Sequence, residues 1–155
     1  MYKAILAVGF FAWITFGSEV QKQDKESITK EKNKRNIESI KKMYRVKETQ
    51  LNTLSKDIVW HGSGHNPVSG LYQGYPEHTK GMPSPAPLKK WKFKLKNVMV
   101  NGDYVVATFI VNGERKNKKI KMKGAHLLRL NDQGQVVEGW EFTKDQDVLD
   151  DFFAD

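Results

Sequence analysis

The chain has 155 residues, a formal net charge of +8 and no cysteine, with 39% hydrophobic and 28% charged residues. That length makes one domain of ordinary size, and the missing thiol excludes a disulfide scaffold, a thiolate zinc site and a cysteine nucleophile. Four Trp, five Tyr and eight Phe supply a packed core and exclude wholesale disorder, while the basic balance leaves a polyanionic partner to be considered.

Met1-Tyr2-Lys3 is followed by an uninterrupted apolar or small run, Ala4 to Phe16. It is too short for a membrane-spanning helix, which needs about 20 residues, and has the length of an export signal. Thr15-Phe16-Gly17 before Ser18 gives a weak small-x-small cleavage pattern. The expectation is a signal peptide over 1–17, with export to a periplasmic or extracellular location, or an uncleaved anchor through residues 4–16. Residues 18–35 mix lysines with Glu and Asp and hold almost nothing apolar, so they read as a charged polar tether running into a helix. The folded domain is expected over 36–155.

Ile37, Ile40, Met43 and Tyr44 follow helical spacing, and Leu51 and Leu54 predict a second, shorter helix. Asp57–Gly62 reads as a short strand. Residues 62–90 are so rich in Gly and Pro that long regular structure is excluded there; a one-turn helix fits around Pro76–Lys80, and Pro83–Pro87 predicts a stiff connector. Lys90 to Lys96 alternate strictly, placing Trp91, Phe93 and Leu95 on one face and lysines on the other. Val98-Met99-Val100 breaks that alternation, which a bulge would explain. Asn101-Gly102-Asp103 turns into Tyr104–Val111, apolar on both faces and so expected in a strand covered on both sides. Asn112-Gly113-Glu114 predicts the next turn. Lys118–Leu130 is a long strand with Ile120, Met122, His126, Leu128 and Leu130 inward and Lys119, Lys121, Lys123 and Arg129 outward. With Gly134 in the left-handed position of the following hairpin, Asn131 faces Gln135. Continued without a break, that register sets His126 opposite Trp140 and Leu128 opposite Glu138, with Glu138 diagonal to His126 on the inner face; a one-residue slip would put Trp140 on the other side of the sheet. Asp145–Phe153 closes the chain as a short helix with acidic residues in its first turn.

This is an α+β layout: a cone-shaped curved antiparallel sheet wrapped around N-terminal helices, with an internal pocket. Asp57–His61, Pro67–Gly74, His126–Leu130 with Asp132-Gln133-Gly134, and Glu138–Phe142 with Asp145-Gln146 resemble, in order and spacing, the SnoaL-like polyketide-cyclase family of the nuclear-transport-factor-2-like, or ketosteroid-isomerase-like, superfamily. The resemblance implies a curved sheet, a hydrophobic pocket, cofactor-free acid–base chemistry in some members and none in others, and dimers through the outer sheet face. In the cyclases a carboxylate and a histidine on adjacent strands transfer the proton. Here His126 matches the histidine, but Trp140 is expected at the facing position, so Glu138 is the nearest substitute. A further departure is the proline connector at 76–90, where relatives carry a full third helix.

The candidate catalytic residues are therefore His126 and Glu138, each with a plainer reading, as a hydrogen-bonded core histidine and a solvated rim glutamate. Trp60, His61, Tyr72, Trp140 and Phe142 are the candidate pocket lining, with at most one of Trp60 and His61 pointing inward because they are consecutive on a strand. His65 and His78 lack metal-ligand spacing, so neither metal nor cofactor is expected. Trp91 and Phe93 facing the core cannot stack bases while the opposite lysines bind phosphate, so the reading is against nucleic acid and for a wet, basic sheet face or attraction to an anionic envelope surface. The expected partner is a small hydrophobic ligand, with a homodimer, and with membrane contact only through the N-terminal segment if it stays uncleaved. The competing class is a non-enzymatic binding or dimerisation module of the cell envelope.

Overall fold

The computed structural model describes residues 8–45, 52–74 and 88–154, with 8–20 described by backbone alone. In chain order it holds helix α1 (Val8–Arg45), strands β1 (Leu54–Gly62), β2 (Gly70–Gln73), β3 (Leu88–Asn101), β4 (Tyr104–Arg115), β5 (Lys118–Leu130) and β6 (Val136–Thr143), and helix α2 (Gln146–Phe153). The strands form one open, curved sheet in the order β2-β1-β6-β5-β4-β3. All neighbours are antiparallel except β1 and β6, which run parallel. The expectation of an α+β curved sheet holds, with one parallel pair in it.

The stretch expected as a tether is helical where it is described, continuous with the amphipathic helix that follows. Lys, Glu and Gln lose little rotamer freedom in a helix, so composition alone supports one even without an apolar face. From Lys32 onward α1 is bolted to two hairpin turns. Lys32 Nζ reaches Asp103 at 2.6 Å and Asp132 at 3.1 Å, Asn33 Oδ1 accepts from Gly102 N at 3.2 Å, Asn36 Nδ2 donates to Gly102 O at 2.9 Å, and Ser39 Oγ donates to Gly134 O at 2.5 Å. Asn52 and Thr53 are helical and Leu54 opens β1, so the expected second helix stops short of Leu54. Leu51, the one-turn helix at 76–80 and the connector at 83–87 lie outside the described residues.

Two bulges set which residues face inward. In β3 the pairing with β4 shifts between Leu95 and Asn97, so Lys96 is the extra residue and the inward series changes phase, from Trp91, Phe93 and Leu95 to Val98 and Val100. The expected break is there, three residues before Met99. In β6, Asn131 N donates to Gln135 O at 2.9 Å and Leu130 pairs with Val136, but Arg129 pairs with Glu138. The hairpin opens in the expected register, with Gly134 at φ 77°, and Val137 then shifts it by one residue. His126 faces Glu141, Leu127 faces Trp140 and Leu128 faces Gly139, so the expected pairings of His126 with Trp140 and Leu128 with Glu138 do not form.

Two further expectations change. Asn112-Gly113-Glu114 lies within β4, with Gly113 paired to Trp91 and Ile120; the turn comes at Lys116, which takes φ 49°. Gly113 is there for space: a Cβ would sit 2.6 Å from the Trp91 ring. The same holds for Gly124 under Phe109 and Gly139 under Trp60, so three inner-face glycines each seat an aromatic ring from a neighbouring strand. β4 is not covered on both sides either, since Val105, Ala107, Phe109 and Val111 are buried while Tyr104 on the outer face is exposed.

The core has two centres. Ile40 and Met43 of α1 pack on Ile58, Val105, Ala107, Leu128, Leu130 and Val136, while Leu149, Phe152 and Phe153 of α2 pack on Phe109, Val111, Ile120 and Met122. Tyr44 touches both clusters. Arg115, buried, donates from Nη1 to Ala154 O at 2.9 Å and Phe152 O at 3.4 Å, placing a cation on the C-terminal carbonyls of α2, where the helix dipole favours one.

Candidate functional site

Between the two core centres stands His126, 4% exposed. Four rings box it in: Phe109 at 4.5 Å, Trp60 at 4.9 Å, Phe93 at 5.7 Å and Tyr44 at 5.9 Å between centroids. Each arrives for a reason legible in the chain. β1 and β3 bring Trp60 and Phe93 to the inner face by alternation, β4 brings Phe109 from the strand beside His126, and the last full turn of α1 drops Tyr44 onto the sheet. The Tyr44 hydroxyl and His126 Nδ1 are hydrogen-bonded at 2.5 Å, whereas His126 Nε2 is buried without a partner among the described residues.

Burial dominates the electrostatics. Desolvation pushes the His126 imidazole down to about 3, so the ring is neutral in the folded protein at ordinary pH. Desolvation raises the Tyr44 phenol far above its usual value, with the Glu141 charge adding to the effect. Glu141, opposite His126 in the ladder and so on the same inner face, is itself raised by desolvation. Tyr44, His126 and Glu141 are thus three proton-carrying groups in a dry setting that favours the neutral form of each.

Beside this set lies the open edge of the sheet at β3. A groove of about 660 Å³ runs between α1 and β3, walled by Ile37, Tyr44, Phe93, Leu95 and Val98 and by the cations Lys41, Arg45, Lys94 and Lys96. Two residues that line it, Tyr44 and Phe93, are also walls of the His126 box. Among the described residues no cluster of His, Cys, Asp and Glu could hold a metal ion.

The candidates from sequence divide between the two faces. His126 and Trp60 meet on the inner face, and Tyr72, paired with Trp60, occupies the same face at the sheet edge, its hydroxyl donating to Ser69 O at 3.1 Å. Glu138 is not brought to His126. It sits on the outer face, where Arg129 donates to its Oε2 from Nε at 3.1 Å and Nη2 at 3.0 Å, and His61 Nε2 lies 3.0 Å from its Oε1. His61 and Arg129 hold the Glu138 carboxyl below its ordinary value. His61 stacks flat on Trp140 at 5.0 Å, and Phe142, paired with Ala125, is 52% exposed. His61, Trp140 and Phe142 therefore belong to the outer face, His61 because it alternates with inward Trp60 on β1, and Trp140 and Phe142 because of the single extra residue at Val137. Tyr44 and Glu141 went unrecognised as site residues in the sequence. The available signal was the alternation Gly139-Trp140-Glu141-Phe142, in which the glycine needed under Trp60 marks the inner face.

A long N-terminal helix against an open curved sheet with an aromatic-lined interior defines the nuclear-transport-factor-2-like, cystatin-like class of α+β domains. The SnoaL-like domain model matches residues 46–139, and the chain belongs to that family. Bal32a, from a soil-derived mobile gene cassette, superposes with a TM-score of 0.71 at 18% identity, covering 79% of this chain and 99% of its own. A cystatin-like-fold protein of unknown function from Xanthomonas campestris gives 0.66 at 26% identity, over 77% and 98%. A protein described as a SnoaL-like polyketide cyclase, from Jannaschia sp. CCS1, gives 0.63 at 16% identity, over 80% and 95%. Among curated proteins none matches this chain in sequence.

Proposed function

We propose that this SnoaL-like domain binds a small, largely apolar molecule through the groove between α1 and β3, with Tyr44, His126 and Glu141 as the polar end of the site. The observation that carries this reading is the buried His126 Nε2, without a partner among the described residues, in a ring whose Nδ1 is held by Tyr44. An unsatisfied buried polar atom costs about 1–3 kcal/mol, and a ligand oxygen or hydroxyl placed there would remove that cost. The four rings around it would supply apolar contact without direction, and the imidazole would supply the direction. Membership of a family related to cyclases and isomerases supports a small-molecule ligand.

Acid–base chemistry is the second reading, favoured by Glu141 facing His126. A carboxyl raised by desolvation is a general base tuned toward neutrality, and a neutral imidazole can donate or accept. In this reading Glu141 takes the role that the sequence assigned to Glu138. The proposal also keeps export or anchoring by the apolar run at 4–16, and pairing of two copies through the outer sheet face, where Leu71, Met99, Tyr104 and Phe142 are exposed; among the described residues no helix is long and apolar enough to cross a membrane.

The test is native mass spectrometry of protein purified from its own host, with Tyr44→Phe and His126→Phe variants alongside. A constant-mass adduct on the parent that both variants lose while keeping the parent's circular dichroism supports the proposal. No adduct, or one retained by both variants, ends it.

A further inference from the structure

The outer face of the sheet has two halves. One carries Trp140, Phe142, Leu127 and the Arg129–Glu138–His61 cluster. The other is flanked on both sides by lysines. Reading across β3, β4 and β5, Lys90 pairs with Glu114 and Glu114 with Lys119; Lys92 pairs with Asn112 and Asn112 with Lys121; Lys94 pairs with Ile110 and Ile110 with Lys123. All six lysines are exposed, and the side chains of a row share a face. Two strand spacings separate the columns by about 10 Å and two residues separate the rows by about 7 Å. The result is a grid three rows long whose spacings match the screening length of about 8–10 Å. Glu114, half-buried in the first row, is the one acid of the grid. None of the six lysines takes part in an ion pair among the described residues.

We infer that this lysine grid is a docking surface for a bilayer containing anionic phospholipid. Charge complementarity carries the choice of partner, and the shape and composition of the face narrow it. A single strand of nucleic acid is bound by a groove with aromatic platforms, but the aromatics of β3 are committed elsewhere: Trp91 packs on Phe152 and Phe153, and Phe93 on Tyr44 and Phe109. The grid holds no arginine, whose planar fork would read individual phosphates in pairs. Lysines spread in two dimensions over an open sheet face suit a diffuse, laterally extended negative potential, where each contributes about a five-fold gain in partitioning. This surface is distinct from the N-terminal apolar run.

The test is co-sedimentation of the full chain with phosphatidylcholine vesicles and with vesicles in which about a third of the lipid is phosphatidylglycerol. The neutral vesicles report the apolar N-terminus, and the ratio between the two reports the grid. The ratio is expected to fall about a hundredfold in a Lys92→Gln, Lys121→Gln, Lys123→Gln variant and to stay within a few-fold of the parent in a Lys30→Gln, Lys34→Gln, Lys56→Gln variant of equal net charge. Should the first variant lose its fold, the single changes Lys92→Gln and Lys121→Gln carry the test, each with an expected loss of about five-fold. Equal losses in the grid and control variants overturn the inference, as does a grid variant that binds like the parent. Tighter binding of the parent to a single-stranded oligonucleotide than to the anionic vesicles, abolished by the same three changes, overturns it in favour of nucleic acid.

Discussion

Glu141, and not Glu138, stands across the β5–β6 ladder from His126. Glu138 is turned to the opposite face and held by Arg129 and His61, so two glutamates three residues apart live in unlike surroundings, one ion-paired and one desolvated. Glu141→Gln is expected to change ligand retention or its pH dependence, while Glu138→Gln leaves both unaltered. Because Glu138 is paired at the surface, its loss moves the melting midpoint little. The comparison is made by native mass spectrometry and thermal melting on the same preparations, and equal effects of the two changes on the adduct would remove Glu141 from the site.

The buried imidazole gives the protein an acid limit with a defined sign. Unfolded, His126 takes up a proton near pH 6.5; folded, it does so only near 3. Between those values the unfolded state holds more protons, so stability falls as pH drops, by up to about 1.4 kcal/mol per pH unit. Glu141 works the other way: its raised folded value means that its contribution is present at low pH and lost as pH rises through that value. Glu138 and Asp150, both lowered in the fold, add acid sensitivity only near and below the ordinary carboxylate range. Urea midpoints taken between about pH 6.5 and 4.5 should therefore fall for the parent and hold or rise for His126→Phe, in which the opposing contribution of Glu141 remains. Parallel curves would show that another group carries the loss.

Removing only the hydroxyl of Tyr44 leaves His126 Nδ1 buried without its partner. Tyr44→Phe is expected to cost about 1–3 kcal/mol, read from the denaturant midpoint, and His126→Phe in the same chain should recover part of it because both polar groups are then gone. Strict additivity of the two changes would mean that they do not interact in the fold.

The glycine seats predict intolerance of a single methyl group. At Gly139 and Gly113 an added Cβ would run into the Trp60 and Trp91 rings, and overpacking of this kind costs about 1–3 kcal/mol. Gly102, with open space around its Cβ position but φ 60°, tests a different mechanism: its loss to alanine is backbone strain in a turn, without repacking. Near-ultraviolet circular dichroism separates the two, since only the strand glycines should disturb the tryptophan signal.

Arg115 ties the end of β4 to the end of α2 through Phe152 O and Ala154 O. Arg115→Met keeps the buried stem and deletes the donors, with an expected loss of about 1–3 kcal/mol. Hydrogen exchange should show protection lost first over Gln146–Phe153, and unchanged protection there would place the arginine's contribution elsewhere.

Much of the sheet was legible because its strands obey a period of two. Lys118–Leu130 could be bounded at both ends, and His126 could be placed inward from its neighbours alone. The misplaced half of the site has one cause. Trp140 and Phe142 are the aromatic members of β6, and apolar residues are expected inside; here they are on the outer face, and Gly139 and Glu141 take the inner positions. A bulge of one residue leaves almost no mark in composition, so the register fixed at Gly134 could not be carried past Val137. Gly113 misled for a related reason. Asparagine followed by glycine signals a turn when only local conformation is considered, but this glycine answers to the Trp91 ring on the next strand. Tyr44 was visible as a core position of the helix, and only the tertiary approach to His126 shows its hydrogen bond.

Helix α1 is clasped from Lys32 onward by the turns at 102–103 and 131–134, yet it starts at Val8. At 1.5 Å per residue the stretch before the clasp is about 36 Å long, a rod comparable in length to the domain it carries. A rod fastened by several bonds cannot swivel at its root. Whatever holds its far end therefore sets not only how far away the domain stands but also which way the lysine grid and the groove face.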